Sequence, residues 1–157
     1  NRMKLTLPSY SVNEGIARGA VAAFCAQLDP TASELGDIKC ALSEAVTNCI
    51  VHAYPDELGM ITLRCRILKD NILDVVVKDQ GIGIADIDQA RRPAFTTGGQ
   101  ERSGMGFTIM QTFSDGFSVT SEKGKGTTVE LIKRVGAEAL CAEGMKAANR
   151  EKERLDA

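Results

Sequence analysis

Three polar side chains, Glu44, Asn48 and His52, recur at steps of four in the stretch 43–53. In a helix they share a face, and one turn, a rise of about 6 Å, separates the carboxylate from the carboxamide. A carboxylate can accept a proton and a carboxamide oxygen can bind a metal ion, so Glu44 and Asn48 suit a base and a metal ligand acting on one small ligand. For the helix alone, a solvated polar face is an equally good interpretation. His52, a lone histidine near a helix end, is expected to be structural.

An apolar stripe at steps of three and four indicates that this stretch is the second half of a longer helix, and its members are Leu35, Ile38, Leu42, Ala45, Cys49 and Ala53. Thr31 and Glu34 have the spacing of a capping box, and Pro55 ends the pattern. We therefore place this helix at residues 32–53. A preceding helix is predicted at 12–28, and its core-facing side is expected to carry Ile16, Ala20, Ala23, Phe24 and Leu28.

The rest of the chain predicts strands and short helices around these two helices. Alternating or β-branched runs predict strands at 3–8, 60–68, 72–77, 116–121 and 127–133, with short helices at 85–90 and 105–113 and a loop at 91–104. This order predicts an α+β fold: a two-layer α/β sandwich with a mixed, mostly antiparallel sheet and helices on one face.

Composition and charge narrow the class of protein. The 157 residues suggest one domain, and a net charge of -2 with interspersed signs favours neither nucleic acid nor a membrane as a partner. Five cysteines without a C-x-x-C pair, and a single histidine, argue against structural zinc. We expect Cys25, Cys40, Cys49 and Cys65 to be small buried residues, and free thiols indicate a cytoplasmic location.

Two glycine-containing segments have spacings that suit ligand binding: one follows Asp79, and the other begins a helix after residue 103. Asp79 ends the β-branched strand, and Gly81 and Gly83 allow a tight turn. The Asp79 carboxylate either accepts a hydrogen bond from an exocyclic amine or merely caps the turn, and we favour the first. The run 104–106 begins a helix after a long loop, and backbone N–H groups there can bind an anion. Thr127, after the run 124–126, either places a hydroxyl near a base ring or is a β-former at a strand edge. No P-loop motif is present.

Together these motifs resemble the N, G1 and G2 boxes of the GHKL (Bergerat-fold) ATPase superfamily, which includes gyrase, Hsp90, histidine kinases and MutL. The boxes are Glu44-x-x-x-Asn48, Asp79-x-Gly81-x-Gly83 and Gly104-x-Gly106, and the match covers residues 1–134. More narrowly, the segments 21–24, 26–31, 43–48, 90–93, 95–97 and 101–110 resemble anti-sigma F factors of spore-forming bacteria.

The resemblance implies a serine protein kinase that binds ATP or ADP with Mg²⁺. Its substrate would be an anti-anti-sigma factor, and as a homodimer it would hold sigma factor F inactive. In this comparison Glu44 matches the catalytic base, Asn48 the Mg²⁺ ligand, and Asp79 with Thr127 the adenine-reading pair. Gly81, Gly83 and Thr97 also match nucleotide-binding positions, and Gly104, Met105 and Gly106 match the phosphate turn. Arg102 matches a lid arginine near the terminal phosphate. Arg18 matches a partner-facing position on the first helix.

The resemblance places a kinase domain at 1–134. The composition of 135–157 indicates a charged, alanine-rich tail, either a partner-binding helix or a solvated or loosely packed segment, and we favour the second. Against the pattern that the resemblance implies, the tail is longer than expected and the glycine-rich lid 97–101 is slightly shorter. Three alternatives stay open: a stress-response anti-sigma kinase with another sigma factor, a nucleotide-gated binding module without phosphotransfer, and the detached catalytic domain of a histidine kinase. The presence of Glu44 argues against the second, because a binding module needs no base.

Overall fold

The structure is a computed structural model that describes residues 1–92 and 105–136. Its elements, in chain order, are β1 (Arg2–Pro8), α1 (Asn13–Cys25), a 3-10 turn (Ala26–Leu28), α2 (Ala32–Asn48), a π-helical turn (Cys49–Ala53), β2 (Met60–Leu68), β3 (Ile72–Lys78), α3 (Ile87–Ala90), α4 (Gly106–Thr112), β4 (Gly116–Glu122) and β5 (Gly126–Arg134). Each predicted strand and helix is confirmed, with bounds that differ by a few residues. The predicted tail falls largely outside the described residues.

The strands form one sheet in the order β1-β2-β3-β5-β4. In the described part of the chain every neighbouring pair is antiparallel, so the sheet lacks the parallel pairing that a mixed sheet allows. Register aligns one apolar residue from each strand in a row across the sheet: Leu5, Leu63, Val77, Val129 and Val119. Because side chains alternate along a strand, this alignment gives the sheet one continuous apolar face.

The helices cover that apolar face and form the second layer. In α2 the predicted stripe is confirmed, since Ile38, Leu42 and Ala45 are buried in the same core cluster as Leu63 and Val77. Burying a leucine-sized side chain contributes about 1.5–3 kcal/mol, so the stripe fixes the rotation of α2 about its axis. The capping box is also present: the Glu34 N–H donates to Thr31 Oγ1 at 3.1 Å, and the Thr31 N–H donates to Glu34 Oε2 at 2.9 Å.

The predicted core-facing side of α1 was partly wrong: Ala23 is exposed, whereas Leu28 packs partly buried against the core. Phe24 is buried as expected, but Ile16 is 52% exposed, and the buried positions include Ala17 and Val21. Helix α1 carries small or apolar residues on two adjacent faces, so its periodicity fits either one. Its packing against α2 and β1 selects the face, and the Asn13 side chain donates to the Pro8 carbonyl at 2.8 Å.

Three of the four cysteines predicted to be buried are so, namely Cys25, Cys49 and Cys65, whereas Cys40 is exposed. Cys40 lies two residues beyond Ile38 on α2, a step that turns a helix position away from the stripe. Burial raises the pKa of Cys65 to about 12 and that of Cys25 to about 11, so both thiols are protonated at neutral pH. In the residues that the structure describes, no helix is long and apolar enough to cross a membrane.

Candidate functional site

Helix α4 begins directly against the polar face of α2. A Cβ atom added to Gly106 would lie 3.2 Å from Glu44 Oε2 and 3.4 Å from both terminal atoms of the Asn48 side chain. Contacts of that length are tighter than most, so glycine lets the first residue of α4 approach both side chains. Glu44 and Asn48 are half-buried, and Met105 caps α4 by accepting the Ile109 N–H at 2.8 Å. The structure thus brings Glu44, Asn48 and Gly106 close together.

The chain after Asn48 does not continue as α-helix but widens into the π-helical turn Cys49–Ala53. The Tyr54 N–H closes this turn on the Cys49 carbonyl at 3.2 Å, a bond five residues long. The Ala53 carbonyl then accepts the Ile82 N–H at 3.1 Å. Such turns occur often at functional sites, and this one joins the end of α2 to the loop that follows β3. His52 lies half-buried within it.

Asp79 begins that loop and is only 4% exposed. Its Oδ1 atom accepts the N–H of Gly81 at 3.0 Å and the N–H of Thr127 at 3.2 Å. Its Oδ2 atom lies 3.5 Å from the Cys49 sulfur, which donates to it. Burial raises the pKa of Asp79, and the hydrogen bonds from Gly81, Cys49 and Thr127 oppose that shift by favouring the charged form. The carboxylate is therefore held by donors from three separate parts of the chain.

Two glycines hold the loop after Asp79 in place. A Cβ at Gly81 would lie 2.2 Å from the Ala53 carbonyl oxygen. Gly83 has a φ of +72°, and a Cβ there would lie 2.1 Å from the Glu122 carbonyl oxygen. A larger residue at either position would collide with backbone, so both glycines are needed for the loop to fit between the end of α2 and the β4–β5 hairpin.

The β4–β5 hairpin closes the other side of Asp79. Gly126, at φ +111°, is so near that an added Cβ would lie 2.2 Å from the Asp79 carbonyl oxygen. The Thr127 hydroxyl lies 2.7 Å from the Ser121 hydroxyl, which accepts the Ile84 N–H at 2.7 Å. Thr127 thus reaches Asp79 through its backbone N–H, while its hydroxyl contacts Ser121.

Sequence reasoning missed three residues that support this site: Cys49, Tyr54 and Ser121. The Tyr54 hydroxyl accepts the Gln80 N–H at 2.7 Å and donates to the Met60 carbonyl at 2.8 Å, so it fixes the residue after Asp79. Nothing in the sequence distinguishes Tyr54 or Ser121 from loop and strand residues. Cys49 directly follows Asn48, but its place in the apolar stripe marked it only as a core residue.

The predicted residues therefore form two groups: Glu44 and Asn48 with Gly106, and Asp79 with its glycines and Thr127. The chain itself links them, because Cys49 follows Asn48 and contacts Asp79. Thr97, Arg102 and Gly104, like most of the predicted lid, lie outside the described residues.

Arg18 belongs to neither group and is exposed on α1, with its guanidinium nitrogen 3.8 Å from Glu14. Glu14 in turn accepts a hydrogen bond from the hydroxyl of Ser43, the residue before Glu44. These contacts link the exposed side of α1 to the helix that carries the acid and amide pair.

Comparisons with known proteins support one family. Residues 9–133 match the family described as the histidine kinase-like ATPase domain. The chain is 55% identical over 137 residues to the anti-sigma F factor of Caldanaerobacter subterraneus, an alignment of 87% of this chain and 95% of that protein. It is 51% identical over 143 residues to the anti-sigma F factor of Geobacillus thermodenitrificans, covering 90% and 98%. The chain belongs to the anti-sigma F factor family.

Solved structures show the same fold as this member of the family. The RsbU and RsbW domains of Rv1364c from Mycobacterium tuberculosis align with a TM-score of 0.64 at 20% identity, over 86% of this chain and 32% of that one. The histidine kinase domain of a blue-light activated kinase from Erythrobacter litoralis aligns with a TM-score of 0.55 at 23% identity, over 78% and 61%. The chain thus spans about a third of the first structure and well over half of the second. At these identities the likeness shows the fold alone, and it confirms the predicted sandwich.

Proposed function

We propose that the chain is an ATP-dependent serine protein kinase and anti-sigma factor. In this proposal it acts in the cytoplasm as a homodimer, holds sigma factor F inactive, and phosphorylates an anti-anti-sigma factor on serine. The observation that carries the proposal is the close approach of Gly106 to Glu44 and Asn48. The next residue along the chain, Cys49, contacts Asp79. A base, an amide ligand and a buried acceptor for an amine are thus lined up along one helix end.

The buried carboxylate suits the adenine end of a nucleotide. Oδ1 of Asp79 is already bound by two backbone N–H groups, whereas among the described residues the donor to Oδ2 is a thiol. Because a thiol is a weak donor, Oδ2 can accept the stronger N–H of an exocyclic amine. Adenine carries such an amine at its 6-position and guanine carries a carbonyl there, so the geometry favours adenine nucleotides.

Glu44 and Asn48 suit the phosphate end. We assign the phosphates to the turn Gly104, Met105 and Gly106, and the terminal phosphate to Arg102 as well; Thr97 is assigned to nucleotide binding. The close approach of Gly106 to Glu44 and Asn48 supports this assignment, because the last residue of the turn then lies beside both side chains.

The Asn48 carboxamide fits a magnesium ion held jointly with phosphate oxygens. Among residues 1–92 and 105–136, no group of three or more His, Cys, Asp or Glu side chains could hold a metal ion. Mg²⁺ in nucleotide sites commonly takes one or two protein oxygens, with phosphates and waters completing the shell, and Asn48 supplies one such oxygen beside the Glu44 carboxylate.

In phosphotransfer, bound ATP supplies the phosphoryl group and the protein supplies position and charge. Glu44 would accept the proton of the attacking seryl hydroxyl as the phosphoryl group leaves ADP, Asn48 would hold the metal ion, and Arg102 would stabilise charge on the terminal phosphate. The one-turn spacing between Glu44 and Asn48 lets the base and the metal ligand act on the same reacting centre.

The partner side of the proposal is supported by the relatives' name, anti-sigma F factor, and by exposed residues on α1. We assign Arg18 to partner binding, since it is exposed and its pairing with Glu14 connects it to α2. Residues 1–134 form the kinase domain in this proposal, and 135–157 form an accessory tail.

The decisive test is incubation of the purified chain with radiolabelled ATP, Mg²⁺ and a candidate anti-anti-sigma protein, with a variant substrate that has alanine in place of the target serine. We expect label on the native substrate alone, and capture of sigma factor F in the presence of nucleotide. Nucleotide binding and sigma capture without transfer would replace the kinase with a nucleotide-gated binding module. Preference for a stress-response sigma factor would reassign the partner.

A further inference from the structure

The Cys49 thiol lies between two acceptors at the end of α2. Its sulfur is 3.4 Å from the Ala45 carbonyl oxygen and 3.5 Å from Asp79 Oδ2. A thiol has one proton, so at any moment it can donate to only one of the two. The Cys49 side chain is buried, with 4% of its surface exposed, so both contacts lie away from solvent.

We propose that Cys49 is a positioning residue for adenine recognition, which orients Asp79 in the free protein and yields Oδ2 to the base amine on binding. The inference rests on the proposed function, because it assumes that Asp79 reads adenine. In the free protein the thiol donates to Oδ2, while the backbone N–H groups of Gly81 and Thr127 donate to Oδ1. Together these bonds fix the orientation of the carboxylate. When an exocyclic amine takes Oδ2, the thiol proton turns to the Ala45 carbonyl, so no buried donor is left unpaired.

The second acceptor makes the exchange inexpensive. The two acceptors lie 3.4 and 3.5 Å from the sulfur, and a thiol is a weak donor, so moving its proton from one acceptor to the other costs little. Removing the thiol by mutation should weaken amine recognition. Oδ2 would lose the thiol as its donor in the free protein, so protonation of that oxygen would be favoured. A protonated Oδ2 donates its proton and so cannot accept the hydrogen bond of the base amine. Cys49 therefore supports amine recognition rather than competing with it.

The test compares two nucleotides and several variants. Affinities for ADP and for the diphosphate of purine riboside, which lacks the 6-amino group, are measured by titration calorimetry, and their ratio reports the contribution of the amine. In Cys49→Ala we expect the ratio to fall by about twofold to tenfold, the worth of one neutral hydrogen bond. In Cys49→Ser, which keeps a donor, we expect the ratio to be preserved.

Cys65→Ala is the matched control, because Cys65 is also a fully buried thiol but lies on β2 away from Asp79. A merely structural role of Cys49 would weaken both nucleotides equally and leave the ratio unchanged, which would overturn the inference, as would tighter ADP binding by Cys49→Ala. If Cys49→Ala does not fold, Cys49→Val against Cys49→Ser provides the same contrast between a side chain without a donor and one with a donor.

A spectroscopic readout follows the proton itself. The S–H stretch of Cys49 is isolated as the infrared difference between the wild-type protein and Cys49→Ala. We expect this band to shift when ADP binds and to stay in place with the analogue that lacks the amine; an identical response to both would overturn the inference. Failure of the wild-type protein to bind ADP at all would instead refute the proposed function.

Discussion

Replacing Asp79 by asparagine tests the centre of the proposed nucleotide site with almost no change in volume. The asparagine carbonyl can take the place of Oδ1 and keep the N–H groups of Gly81 and Thr127, which now lie 3.0 and 3.2 Å from it. Its NH₂ then takes the place of Oδ2 and faces the adenine amine, donor against donor. Cys49 can turn to the Ala45 carbonyl, so the damage falls on ligand binding rather than on folding.

The magnitude follows from the unpaired amine. Leaving a buried donor without a partner costs about 1–3 kcal/mol, which corresponds to about a 5-fold to 150-fold loss of affinity. A titration with fluorescent ADP measures the loss, and a parallel titration with the analogue lacking the 6-amino group should show little change. Unchanged ADP affinity in a folded Asp79→Asn protein would refute the assignment of Asp79 to adenine.

Asp74→Asn provides the matched control, because it makes the same change at a carboxylate of β3 that is also buried. Asp74 accepts from the Arg66 side chain at 2.8 Å on the sheet and lies outside the proposed site. We expect Asp74→Asn to lower the melting temperature and leave ADP affinity unchanged. If both variants lose ADP binding alike, the effect of Asp79→Asn reflects general destabilisation.

The wild-type protein and Asp79→Asn also allow a test of how stability depends on pH. Burial raises the pKa of Asp79 above its ordinary 3.8, so the folded protein binds a proton there more tightly than the unfolded chain. The contribution of Asp79 to the free energy of unfolding is therefore fully present below pH 3.8 and is lost as the pH rises through the raised pKa. The melting temperature of the wild type, relative to that of Asp79→Asn, should fall across that window. A relative rise would contradict the assigned sign.

Three further predictions address the phosphate end and the partner. Glu44→Gln should lower phosphotransfer by about 10²–10⁴-fold while ADP binding persists, and near-normal transfer of radiolabel would remove Glu44 as the base. Gly106→Ala places a methyl group 3.2 Å from Glu44 and should lower the transfer rate by up to about 100-fold. Its control is Gly36→Ala in α2, where the added methyl group meets open space. That variant should keep activity and gain about 0.5–1 kcal/mol of stability. Sigma factor should bind about 5-fold to 150-fold more tightly with ATP than with ADP by surface plasmon resonance, and Arg102→Ala should shrink that ratio more than it weakens ADP binding; equal affinities would show that nucleotide does not gate the partner.

Local chemistry made much of the fold predictable. The stripe and capping box of α2 repeat within a few residues, so their period sets a helix and its buried side without reference to the rest of the chain. The turn after β3 was also predictable, because an aspartate followed by glycines at the end of a strand is typical of a tight turn. These features predicted which elements carry Glu44, Asn48 and Asp79, and the order of strands and helices predicted the sandwich.

Long-range contacts decided the rest. The buried side of α1 depends on which of two similar faces meets α2, so Ile16 is exposed although its spacing is that of a core residue. The donors to Asp79 come from Cys49 and Thr127, which are 30 and 48 residues away. The π-helical turn that aims Cys49 at Asp79 has no signature in residue types. Sequence by itself therefore determined which groups can do the chemistry, whereas tertiary structure decided which of their hydrogen-bonding atoms remain available, because that depends on neighbours distant in the chain.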